Sequence, residues 1–125
     1  IAVQASGKQI DGSMVEGLKG MNSELAAAGI NWTVTEGYPP SRTHKNPCHQ
    51  NGTCIDADFT SGGDSSDNIK KFVTAANNNG FRAVFETDDK QQYDSLVSSG
   101  VPKHNIQYIP PGWISGTHFS VYNKN

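Results

Sequence analysis

Ser65-Ser-Asp-Asn-Ile-Lys-Lys-Phe-Val-Thr-Ala-Ala-Asn-Asn-Asn-Gly-Phe-Arg-Ala-Val-Phe-Glu86 changes its apolar period at a single residue, Gly80. Before it, Ile69, Phe72, Val73 and Ala76 recur at helical spacing. After it, Phe81-Arg-Ala-Val-Phe-Glu86 is an aromatic and β-branched run of the kind that pairs in sheets. The segment therefore predicts a helix from Ser65 or Ser66 to Asn79, a glycine stop and a strand. Outward from it the same punctuation recurs. Met14, Leu18, Met21 and Leu25 form one stripe of a helix over 12–28, closed by Gly29. Tyr93, Leu96 and Val97 face inward from a shorter helix over 88–99, closed by Gly100. Further strands are expected at 30–35, 53–59, 105–109 and 117–122. Helices and strands alternate without a strict βαβ rhythm, so the fold class is α+β, a mostly antiparallel sheet with flanking helices.

At 125 residues the chain is the size of one domain spanning 1–125, long enough to bury a core. Hydrophobic residues make up 34% and charged residues 18%, with 13 glycines, which describes a polar, loop-rich globular protein. The longest apolar run is far short of the roughly 20 residues of a membrane span. Ten basic and twelve acidic residues leave a net charge of −2, which offers no electrostatic footprint for nucleic acid. A monomer is expected. The chain begins at Ile1 with no basic or apolar leader segment, and it reads as a mature secreted protein or an excised extracytoplasmic domain. Cys48 and Cys54, six positions apart, read as a disulfide suited to that compartment. Metal ligation, which more naturally uses a Cys-x-x-Cys pair, is the alternative.

The stretch 36–51, with Gly37, Pro39, Pro40 and Pro47, must be a long loop, and long ordered loops in compact domains are usually functional. It leads into His49-Gln-Asn-Gly-Thr-Cys-Ile-Asp56, the densest chemical signal in the chain. Gly52 lets the backbone turn, bringing a loop imidazole toward a strand carboxylate. Asp56 and Asp58 share a strand face, one to ligate and the other to support. On the last strand His118, Ser120 and Tyr122 share a face as well. His49, Asp56 and His118 are three ligands suited to a catalytic zinc with an open fourth position.

His49-x-x-Gly52-x-Cys54-x-Asp56 resembles the His-x-x-Gly-x-Ala-x-Asp motif of the zinc D-Ala-D-Ala peptidases, whose fold is shared by the hedgehog signalling domain. That family includes D,D-carboxypeptidases, D,D-dipeptidases and L-Ala-D-Glu endolysins. Thr117-His118-Phe119-Ser-Val121 looks like its closing strand, which supplies the last zinc ligand. The resemblance covers roughly residues 32–122. It departs from the family at Pro47, where a serine is usual, in Gly116-Thr117-His118, where the accessory histidine of His-x-His is missing, and at Ser115, where a carboxylate base often stands. Gly80-Phe-Arg-Ala-Val-Phe-Glu86 looks like the strand that ends in the catalytic glutamate in hedgehog-like members, so the resemblance implies Glu86 as base and residues 88–113 as an insertion. Within Thr35-Glu-Gly-Tyr-Pro-Pro-Ser-Arg42, Arg42 is the match to the arginine that contacts the substrate carboxylate or the oxyanion. Trp113 is placed either on the wall of the substrate cleft or over the core. The resemblance implies a secreted, zinc-dependent peptidase cleaving the stem peptides of peptidoglycan, at a D,D or an L,D bond. A non-catalytic zinc-bearing domain for cell-wall or protein recognition is the rival reading, and a metal-free module is the third.

Overall fold

The computed structural model describes residues 2–3, 12–36, 54–60 and 63–124. Six strands form one sheet in the order β1-β2-β3-β6-β4-β5. They are β1 (Ala2–Val3), β2 (Trp32–Glu36), β3 (Cys54–Phe59), β4 (Phe81–Thr87), β5 (Ile106–Tyr108) and β6 (His118–Asn123). Among the described residues three α-helices accompany them: α1 (Gly12–Ala27), α2 (Ser66–Asn78) and α3 (Lys90–Ser98). The α+β expectation holds, and each predicted helix and strand is present within two residues of its predicted ends.

The pairing is finer than the sequence pattern implied. β2, β3, β6 and β4 are antiparallel neighbours, whereas both outer pairs, β1 with β2 and β4 with β5, are parallel. Each parallel pair is joined through a helix, α1 on one side and α3 on the other, because parallel neighbours need a crossover connection. Residues 88–113 therefore contain the α3 crossover and the edge strand β5, attached outside β4. Helix α3 begins at Lys90 rather than at 88 because the Asp89 carboxylate caps it, accepting from the Gln91 and Gln92 amides at 3.0 and 3.3 Å. Gly29, Gly80 and Gly100, the predicted stops, all have positive φ.

One face of the sheet carries the core. The stripe of α1, Met14, Leu18, Met21 and Leu25, is buried, as are Ile69, Phe72, Val73 and Ala76 of α2. Phe119 on β6 is central to the aromatic packing. It stacks on Phe72 with ring centroids 3.9 Å apart and meets Phe59 and Phe85 edge-on at 5.3 and 5.1 Å.

Helix α1 spends two interior glycines on a close approach. A Cβ at Gly17 would lie 2.9 Å from the Asn79 carbonyl oxygen and against the Phe81 ring, and one at Gly20 would collide with the Asn79 side chain. Glu24 completes the contact by accepting from the Asn78 and Asn79 side-chain amides at 3.2 and 3.1 Å. Replacing a helix glycine with alanine ordinarily gains about 1 kcal/mol. At Gly17 the clash should outweigh that gain, so Gly17→Ala is expected to lower stability by about 1 kcal/mol or more. A urea midpoint that rises instead would show that α1 is not packed this closely.

Candidate active site

The candidate site lies on the other side of β3, β6 and β4. Side chains alternate along a strand, so burying Ile55, Ala57, Phe119, Val121, Ala83 and Phe85 in the core sends Asp56, His118, Ser120 and Glu86 to the opposite face. Register then selects neighbours. Asp56 is opposite Ser120, and Glu86 is opposite His118. Directly opposed residues on an antiparallel pair bring their side chains within reach of one another.

The contacts follow from that placement. His118 Nε2 lies 3.2 Å from Glu86 Oε1, both side chains being 19% exposed. On the other side of the ring, His118 Nδ1 is 3.1 Å from the Gly116 carbonyl oxygen. Ser120 Oγ is 3.0 Å from Glu86 Oε2 and 3.4 Å from Asp56 Oδ1. A hydroxyl has one proton, so Ser120 donates to one carboxylate at a time, and the shorter bond is to Glu86. Asp56 and Ser120 are buried. Two carboxylates, a hydroxyl and an imidazole thus meet across three strands.

Burial by itself would push the His118 imidazole down. The Glu86 hydrogen bond, the Asp56 charge, the Gly116 carbonyl and the Glu86 charge together outweigh it and raise the group to about 9. The geometry agrees, because both ring nitrogens face oxygen acceptors and only the imidazolium has a proton on each. At neutral pH His118 and Glu86 form an ion pair. Asp58 is pushed up, first by burial and then by Asp64, against the lowering influence of the Phe59 amide and His118. Its Oδ1 accepts from the Phe59 N–H at 2.8 Å, so it braces its own strand.

Of the predicted site residues, the structure brings Asp56, Glu86 and His118 together. Arg42, Cys48 and His49 lie outside the described residues, as does Gly52. Cys54 opens β3, opposite Tyr122. Trp113 is 64% exposed in the bend before β6 and does not cover the core. Ser115 is exposed in the same bend. Ser120 was placed on the right face by its alternation, but the link it makes between Asp56 and Glu86 required the register. Asp64 was not singled out, yet its Oδ2 accepts from Thr117 Oγ1 at 2.9 Å and tethers the approach to His118. No local pattern marks that contact, which joins residues 53 positions apart.

Two expectations need correction. No group of three or more His, Cys, Asp and Glu side chains among the described residues is arranged to hold a metal ion, so these residues do not by themselves supply a complete zinc centre. His49, the third expected ligand, lies outside the described residues, and Glu86 Oε1 faces His118 Nε2 at 3.2 Å. Nor is a disulfide found among the described residues; Cys48 lies outside them, so the structure lends the expected Cys48–Cys54 pairing no support. Among the described residues no helix is long and apolar enough to cross a membrane. No protein-family model, no curated protein and no solved structure matches the chain.

His118 is expected to titrate near 9 in the metal-free protein, read from its ring carbon proton by NMR, and Glu86→Gln should lower that midpoint. The linkage has a definite sign. The native imidazole holds its proton above the ordinary 6.5 of an unfolded chain, so its contribution is full below 6.5 and is lost as pH rises through about 9. Up to about 3 kcal/mol of stability should disappear across that window in the wild type. Urea midpoints that stay level between those two pH values would show that the ion pair does not form.

Proposed function

We propose that the chain is a peptidase acting on the stem peptides of peptidoglycan, with zinc as cofactor and Glu86 as general base. The observation that carries this reading is the opposition of Glu86 and His118 across β4 and β6, 3.2 Å apart, with Ser120 joining the same carboxylate to Asp56. A proton acceptor therefore lies beside the two described side chains to which the family resemblance assigns the metal.

Asp56 and His118 are donors of the kind zinc takes, and a bound ion would displace the Glu86 contact from His118 Nε2. Asp56 is a buried carboxylate, and His118 has its Nδ1 anchored on a main-chain carbonyl, an arrangement that orients a ligating histidine through its other nitrogen. Asp56 and His118 would hold the ion together with His49. When bound, zinc polarises the scissile carbonyl and lowers the pKa of a water molecule. Glu86 would accept one proton from the attacking water as its oxygen adds to the carbonyl carbon, and would return it to the amine nitrogen as the carbon–nitrogen bond breaks. Ser120 holds the Glu86 carboxylate in place through its Oε2 bond. Arg42 would hold a substrate carboxylate or the developing oxyanion. Trp113, exposed ahead of β6, has surface to offer the substrate.

Purified wild-type chain should carry one zinc per molecule and digest muropeptides. Glu86→Gln keeps the shape of the side chain and removes the base, so metal should remain while hydrolysis falls by ~10²-fold or more. His118→Ala should lose the metal by elemental analysis. Full zinc occupancy in His118→Ala overturns the ligand set, and an active Glu86→Gln enzyme overturns the base. Wild type that binds zinc without turnover returns the chain to the rival reading, a non-catalytic binding domain.

A further inference from the structure

At the opposite end of β4 from Glu86 lies a cavity of about 480 Å³ between α2, the start of β4, the turn after α3 and the end of the chain after β6. Arg82, at its wall, precedes Glu86 by four residues, which is roughly 13 Å along a strand. The cavity is therefore separate from the site described above. Its lining gathers Lys70, Arg82, His104 and Lys124 from four separate segments, and no carboxylate is among the lining residues. The chain as a whole is acidic, with a net charge of −2, so this local excess is not a property of the average surface.

The cations are held, but not neutralised. Arg82 Nε donates to the His104 carbonyl at 3.3 Å, and its guanidinium lies 5.5 Å from the centre of the Tyr122 ring. That fixes the plane of the fork and leaves the terminal nitrogens as donors. Lys124 Nζ donates to Asn77 O and Oδ1 at 3.0 and 2.8 Å, which uses two of its three protons. Lys70 lies near Gly100, its Nζ 3.8 Å from where a Cβ would stand there. Among the described residues, the ion pairs are formed by Lys19, Lys71, Lys90 and His118, and none by Lys70, Arg82 or Lys124. Main-chain and amide oxygens orient two of these groups without cancelling their charge.

We propose that this cavity binds a small phosphate-bearing molecule. Phosphate matches the donors: it presents several oxygens to cations arriving from different directions, and one edge of it accepts two parallel bonds from an arginine fork. The volume is that of a small-molecule site, so there is room for an organic group beyond the phosphate itself.

The test is a titration of the full chain followed by amide proton–nitrogen spectra at constant ionic strength. The probes are inorganic phosphate, glycerol 3-phosphate, glycerol and sodium chloride. Both phosphates should shift the amides of Arg82, Gly100 and Lys124 in a saturable way, while glycerol and chloride should not. Tighter binding of glycerol 3-phosphate would identify an organic phosphate as the ligand, and equal binding would identify the free ion. The double variant Lys70→Gln/Lys124→Gln should weaken binding by about 10-fold or more. Arg82→Lys keeps the charge but loses the fork, and should weaken it by about 3-fold or more. This single variant carries the test if the double one does not give a folded spectrum. The proposal is overturned by an absence of saturable shifts up to about 10 mM phosphate, by an equal response to chloride, or by wild-type binding in the folded variants.

Discussion

Phe119 fixes the register on which the rest of the molecule depends. Its ring stacks on Phe72 and touches Phe59 and Phe85, so it joins a helix to three neighbouring strands at one point. A slip of one residue along β6 would take that ring out of the core and put His118 or Ser120 in its place. Burying a phenylalanine is favourable by about 1.5–3 kcal/mol, whereas burying an unpaired imidazole or hydroxyl there would be costly. The polar face is thus aligned by the apolar one. Asp56 meets Ser120, and Glu86 meets His118, because Phe119 has only one place to go.

That alignment concentrates charge on the face of the sheet opposite the core. Two carboxylates so close would repel each other, and a serine hydroxyl and an imidazolium offset the repulsion. The same groups also set a competition. Glu86 holds the nitrogen of His118 that a metal would use, so any metal at this face displaces a formed ion pair rather than filling an idle donor set. The Asp64–Thr117 bond lies just outside this cluster and anchors the strand immediately before the histidine.

β4 serves both ends of the molecule. Its first residues pack under α1 and reach the basic cavity through Arg82, while its last residues present Glu86 and then pair with β5. Lys124 beyond β6 returns to the start of β4, its amide donating to the Gly80 carbonyl at 3.1 Å, which ties that residue into the fold. The close approach of α1 over Gly17 and Gly20 presses on the turn between α2 and β4, which fixes where that strand begins.

The sequence by itself determined the elements and their faces. The apolar spacing of Met14, Leu18, Met21 and Leu25, the glycine stops, and the alternation in Cys54–Phe59 and His118–Asn123 are local patterns, because helix and strand periods are properties of the backbone. They were enough to place Asp56 on one strand and His118 and Ser120 on one face of another. The two-residue strand β1 was missed because so short an element has no period to read. Tertiary structure alone decided the strand order, the two parallel edges and the partner of each site residue. Glu86 and His118 are 32 residues apart and meet only because β6 inserts between β3 and β4. The Ser120 bonds and the Asp64–Thr117 contact were illegible for the same reason: their partners lie across strands or loops, and register is a property of the packed sheet.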